Sequence, residues 1–162
     1  MEIRPAEPAE RAIAAEHAAV AFRELRHWLS LQAYRVLEKE VRSATQLTEG
    51  GELLLAVEGR EVIGSVVYFP PGSAGHGLYP PDWAFIRALA VTPGRRREGL
   101  GRALLEACLE RAGQDGARAL GVQISEAMVG ARGLFGALGF QRVREVLSRD
   151  GLPNSIFRLD LG

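Results

Sequence analysis

The stretch GRRREGLGRALLEA, from Gly94 to Ala107, sets three arginines, a glutamate and the glycines Gly99 and Gly101 directly in front of a regular apolar repeat. Leu100, Ala103, Leu104, Ala107 and Cys108 fall at i, i+3, i+4, i+7 and i+8, a one-sided helix that stops near Gly113. The preceding segment, WAFIRALAV from Trp83 to Val91, reads as a strand that ends at Thr92-Pro93. A strand, a short turn and a helix opening on glycines gather unpaired backbone N–H groups and the positive end of a helix dipole at one point. That point suits an anion, because a glycine lets a phosphate reach the backbone and nearby arginines add charge. Two phosphate motifs fail here. Gly94 and Gly99 have Walker spacing, but Leu100 and Gly101 stand where Lys and Ser or Thr are required; Leu104 occupies the third glycine position of a dinucleotide fingerprint.

The elements that must position this loop belong to one domain, residues 1–162. Hydrophobic residues make up 47% and charged residues 25%, and twenty basic residues balance twenty acidic ones. Net charge therefore gives no case for nucleic acid or a membrane surface, and a positive field must be local. Cys108, the single cysteine, has no internal disulfide partner, and the amino terminus shows no leader pattern, so a cytoplasmic location is expected. No apolar run approaches the roughly 18 residues of a membrane span, and no metal site is expected.

MEIRPA reads as a first strand, and Pro8 to about Leu25 as a helix with Ile13, His17, Val20 and Ala21 on one face. Ser30 is the expected N-cap of a second helix through LQAYRVLEKEV, with Leu31, Tyr34 and Leu37 or Glu38 at helical intervals. ELLLAVE and EVIGSVVYF, joined at Gly59-Arg60, form an expected hairpin. Pro70 to Asp82 is too rich in proline and glycine for regular structure, and a loop of this length is often functional. ARALGVQIS follows as a strand, EAMVGARGLFGAL as a helix closed by Gly139, and FQRVREV and SIFRLDL as two last strands.

With these elements in order, the chain resembles the GCN5-related N-acetyltransferase (GNAT) superfamily. The resemblance rests on Arg96-x-x-Gly99-x-Gly101, on LAVTP before it, on LL and A in the helix after it, and on A..LF..LGF from Ala131 to Phe140. It covers Leu53 to Val143 well. It implies an α/β (α+β) fold: a mixed, mostly antiparallel sheet with helices on both faces, split near its middle to admit acetyl-coenzyme A. It further implies that Leu89, Ala90 and Val91 pair with the pantetheine arm and that the Val91 N–H meets the oxyanion. The family's cofactor contacts fall on Arg96, Arg97, Glu98, Gly99, Leu100, Gly101, Arg102 and Ala103, with Met128 and Phe135 further along. Arg96 and Arg102 are the expected phosphate contacts, and Arg95 and Arg97 are read as nearer solvent. The implied activity is direct transfer of an acetyl group to a small-molecule or peptide amine, and a homodimer is among the expected states.

The chain departs from the family pattern in three places. Phe85 stands near a frequent glutamate base, Met128 at a frequent asparagine, and Phe135 at a frequent tyrosine acid. Replacement bases are Glu126, ranked first for its place after the strand GVQIS, then Asp82 and His76. Each has a plainer reading: Glu126 as an acid at a helix start, Asp82 as a turn cap, and His76 as a solvated loop residue. Tyr79 and Trp83 are candidate walls of an acceptor pocket, while His17, His27 and Cys108 read as structural. Two rivals share the loop: a non-catalytic acyl-coenzyme A sensor, suggested by Phe85 and Phe135, and a nucleotide or phosphometabolite binder.

Overall fold

A computed structural model describes residues 1–47, 50–75, 77–147 and 152–162, apart from the side chain of Leu47. Among these residues seven strands form one sheet in the order β1-β2-β3-β4-β5-β7-β6. They are β1 (Glu2–Pro5), β2 (Glu52–Glu58), β3 (Glu61–Phe69), β4 (Trp83–Val91), β5 (Ala119–Ser125), β6 (Gln141–Val146) and β7 (Asn154–Asp160). Every neighbouring pair is antiparallel except β4 and β5, which run parallel. The helices are α1 (Arg11–Phe22), α2 (Leu31–Leu47), α3 (Leu100–Gln114) and α4 (Val129–Ala137). This is the mixed, mostly antiparallel, helix-flanked sheet expected from the sequence.

Strand periodicity divides the core into two layers. Leu53, Leu55, Val67, Phe69 and Phe85 join Ala14 of α1 on one face. Leu54, Val66, Tyr68, Ala84 and Ile86 join Leu100, Leu104, Leu105 and Cys108 of α3, and Phe135 of α4, on the other. Burial pushes the Cys108 thiol up to about 12, so it is a structural side chain and not a nucleophile.

The first helix differs from its expected orientation. Ala14, Ala15, Ala18, Ala19 and Ala21 are buried, while Ile13 is 61% exposed and Val20 40%. Alanines let the helix lie close to the sheet, and that close approach outweighs the larger apolar area of Ile13 and Val20. Its regular turn ends at Phe22, and a 3₁₀ segment carries the chain to His27. Ser30 does cap α2, its Oγ accepting from the Ala33 N–H at 3.1 Å. Leu31, expected on the buried face, is 66% exposed, and Ala33, Val41 and Thr45 are buried instead. The fourth helix begins at Val129 rather than Glu126; Glu126 and Ala127 form a turn pinned by the Glu126 N–H to the Pro153 carbonyl at 3.0 Å.

Candidate active site

β4 and β5 are paired only from Trp83 to Phe85 and from Ala119 to Gly121, although they hold nine and seven residues. Beyond that point β5 keeps its other partner, β7, through Ser125, and β4 keeps β3 through Val91. The sheet is therefore open between the C-terminal halves of two parallel strands, the crevice where such sheets bind ligands.

A bulge turns β4 into that opening. Ser65 pairs with Ala90 and Val67 with Arg87, so Ala88 and Leu89 together oppose Val66. Ala88 takes φ +54, a left-handed conformation that costs an L residue on the order of 1–2 kcal/mol. The Thr92 N–H donates to the Ile63 carbonyl at 3.0 Å, which makes that pair hydrogen-bonded. By antiparallel alternation Val91, one residue earlier and opposite Gly64, turns its N–H away from β3 toward the opening.

At the end of β4 the chain passes through Arg97 at φ +66 and Gly99 at φ +82 before α3 begins. No side chain caps α3, so its first backbone N–H groups stay available at the positive end of the dipole. A Cβ at Gly99 meets nothing within 4 Å, so its need for glycine is conformational, whereas a Cβ at Gly101 lies 3.0 Å from the Leu134 Cδ2. The unfilled space beside Gly99 and the uncapped N–H groups suit a phosphate.

The arginines of the loop are divided between two tasks. Arg95 pairs with Glu58 and Glu98, each at 2.9 Å, tying the loop to the β2–β3 hairpin. Arg96 pairs with Glu24 and also donates to the Ala21 carbonyl at 3.2 Å, tying it to α1. Arg102 pairs with Glu106 one helical turn on, at 2.9 Å. Arg97 has no side-chain partner among the described residues. The Arg96 and Arg102 pairs are solvent-exposed, and such pairs exchange partners at little cost.

The residues suggested as bases are not brought together. Asp82 sits where β4 and β5 are joined, 3.8 Å from Arg118, and the nine residues of β4 put Val91 roughly 30 Å away. Glu126 is exposed, one residue past the end of β5. His76 lies outside the described residues. The phenyl ring of Phe85 is buried between Phe69 and Tyr79, with centroids at 4.7 and 4.5 Å.

The model of the acetyltransferase (GNAT) family matches residues 20–140. The chain belongs to the GNAT family. Among solved structures it resembles a GNAT acetyltransferase from Staphylococcus aureus (14% identity, 99% of each chain, TM-score 0.75) and a GCN5-related N-acetyltransferase from Rhodopseudomonas palustris (21% identity, 99% of this chain and 95% of that one, TM-score 0.74). It also resembles a protein from Salmonella typhimurium solved with its cofactor acetyl-CoA (20% identity, 100% and 94%, TM-score 0.70). Among curated proteins none is significantly similar in sequence.

In this GNAT domain the Phe135 ring is 2% exposed and meets Phe140 edge-on at 4.9 Å, so it acts in the core. Met128 precedes α4 and packs against the same core layer. Sequence reasoning missed Arg87. Its guanidinium lies 5.3 Å from the Phe69 ring centre and 5.6 Å from that of Phe85, at the root of the opening. The signal was one charge inside an otherwise apolar strand. Tyr79 and Trp83 do wall a hollow of about 430 Å³, with Leu78, Val143, Arg144 and Arg158 completing it.

Proposed function

We propose that the protein is an acetyl-coenzyme A-dependent N-acetyltransferase that moves an acetyl group to a primary amine of a small molecule or peptide by direct attack. The observation that carries this reading is the joint geometry of β4 and α3: one strand bulged into an open sheet, running into an uncapped helix that begins on glycines. Acetyl-coenzyme A, when bound, supplies the acetyl group already activated as a thioester. The α3 N–H groups and Arg97, joined by Arg96 and Arg102 after exchange of their glutamates, would hold its pyrophosphate. The backbone of Leu89 to Val91 would pair with the pantetheine amides as an added strand, and the Val91 N–H would stabilise negative charge on the acyl oxygen. Water carries away the amine proton in this reading, since the described residues place no carboxylate at the root of the opening. We also propose a cytoplasmic location, on the single unpaired cysteine.

Isothermal titration of acetyl-coenzyme A and of its dephospho and desulfo analogues, followed by thiol release with a panel of amines, tests the proposal. Binding that depends on the phosphates, with thiol released for some amine, is the expected result. Phe85 and Phe135 in place of polar groups favour a second reading, an acyl-coenzyme A sensor, which predicts binding without thiol release. Absence of binding would exclude both.

A further inference from the structure

The acceptor side of the opening has a charge pattern of its own. Arg87 projects from β4 two residues beyond the last β4–β5 pair, over the stacked rings of Phe69 and Phe85. Tyr79 completes that stack and leans over β5 so closely that a Cβ on Gly121 would stand 2.7 Å from its ring. On the far side of Tyr79, Arg144 of β6 reaches the hollow and donates to the Leu78 carbonyl at 3.0 Å. The hydroxyl of Tyr79 stands in the field of both guanidiniums and beside the backbone of Gln123; its phenol is pushed up by burial, against the opposing pull of these groups.

Neither Arg87 nor Arg144 has a carboxylate partner among the described residues. Arginines elsewhere do have one: Arg4, Arg42, Arg95, Arg96, Arg102 and Arg111 each hold a glutamate, and Arg118, Arg142 and Arg158 pair with Asp82, Glu145 and Asp160. The Arg87 guanidinium is half-buried and left without a counter-ion, Arg144 is exposed with the Leu78 carbonyl as its acceptor, and the fork geometry of either guanidinium matches a carboxylate. The lining of the hollow holds no acidic side chain, and its other arginine, Arg158, is already paired with Asp160 at 3.5 Å. A volume of about 430 Å³ is that of a small-molecule site.

We propose that the acceptor is a small amine that also carries a carboxylate, an amino-acid-like molecule whose anionic end is held by Arg87 and Arg144 on either side of the Tyr79 hydroxyl. The inference rests on the acetyltransferase reading and narrows it. Polyamines and aminoglycosides bring like charge against both guanidiniums and are poor acceptors; a long peptide without acidic residues near its amine gains nothing from them.

The test compares acceptors that differ only in the carboxylate: L-methionine, L-phenylalanine and L-glutamate against their α-carboxamides, with spermidine as the polycation. Thiol release from acetyl-coenzyme A gives kcat/KM, and isothermal titration of the N-acetylated acids and amides into the protein gives affinity without turnover. The expected result is that at least one acid exceeds its amide by about ten- to hundredfold in both readouts, as for a hydrogen bond to a charged group. Arg87→Met and, separately, Arg144→Met should bring that ratio toward one, and Arg87→Lys should restore part of it; melting curves verify folding. Equal binding of acids and amides, preference for amides or spermidine, binding of none of the acids, or a ratio untouched by both methionine variants overturns the proposal. If acetyl-coenzyme A itself does not bind, the acetyltransferase reading fails, and the titration of acetylated acids still decides whether the anion site exists.

Discussion

His17 of α1 lies against Thr92, the residue that follows the end of β4. The Thr92 hydroxyl donates to the Ile63 carbonyl at 3.2 Å, so it accepts from the His17 Nε2–H at 2.8 Å. That fixes the neutral tautomer, with Nδ1 as the bare nitrogen, buried and without a partner. Protonation would place an N–H at Nδ1 with no acceptor. Burial accordingly holds the His17 imidazole below its usual value, with Glu61 pulling weakly the other way; Glu16, also on α1, borders the same surface. The native ring stays neutral as pH falls through about 6.5, whereas the unfolded chain takes up a proton. Stability is therefore full above that value and declines as pH falls toward the depressed native one. The slope is at most about 1.4 kcal/mol per pH unit, less for a partly exposed ring, and translates to about 3 to 5 °C of melting temperature at most. Carboxylates act in a lower window: Glu10, held down to about 2 by its bond to the Arg4 guanidinium, loses its contribution only below 4.5. Calorimetric melting at about pH 7.5 and about pH 5.5 should show a fall in the wild type. The fall should be smaller in His17→Gln, whose amide still donates to Thr92 but does not titrate. Parallel falls in the two proteins would refute the tautomer and the clamp it describes.

Three further outcomes follow from the site. Gly99→Ala meets no atom but forces alanine to φ +82, so a loss of about 1–2 kcal/mol in stability, with weakened acetyl-coenzyme A affinity by titration, is expected. Gly121→Ala drives a methyl to 2.7 Å from the Tyr79 ring and 3.1 Å from Trp83, and should cost about 1–3 kcal/mol in denaturant unfolding. With no carboxylate at the root of the opening, log kcat/KM for an amine should climb with unit slope to the acceptor's own pKa. A plateau in the range of a raised carboxylate, with no such climb, would reveal a base the geometry does not provide.

The strands and the first hairpin were largely legible because β2, β3 and β5 are dense in β-branched and aliphatic residues, with Gly59-Arg60 as an explicit turn. The turn into α3 was legible because its glycines mark where the chain must leave the strand and open a helix. The β4 bulge was not, since Ala88 looks like any strand residue and its φ is imposed by the register of Ser65 and Val67 on β3. The face of α1 was misread because alanine adds little to an apolar pattern yet decides how near a helix can come. Arg87 and Arg144 escaped notice for a related reason: they lie 57 positions apart, and only the packing of Tyr79 across Gly121 brings their charges to one hydroxyl.

Those same facts bear on how deprotonation is handled. An amine like that of lysine, with a pKa near 10.4, costs about 4.6 kcal/mol to deprotonate at pH 7, and each unit by which a site lowers an amine's pKa removes about 1.4 kcal/mol of that cost. The stacked Phe69–Phe85–Tyr79 surface takes the place of a carboxylate, and Tyr79 keeps its proton because burial raises it. Two guanidiniums close by also favour the neutral amine over the ammonium, since the positive field that binds a carboxylate disfavours a second cation beside it. The arginines thus act on both ends of one acceptor: they attract its acid and lower the pKa of its amine. A site built this way has less need of a general base than one that must strip a proton from a lysine side chain.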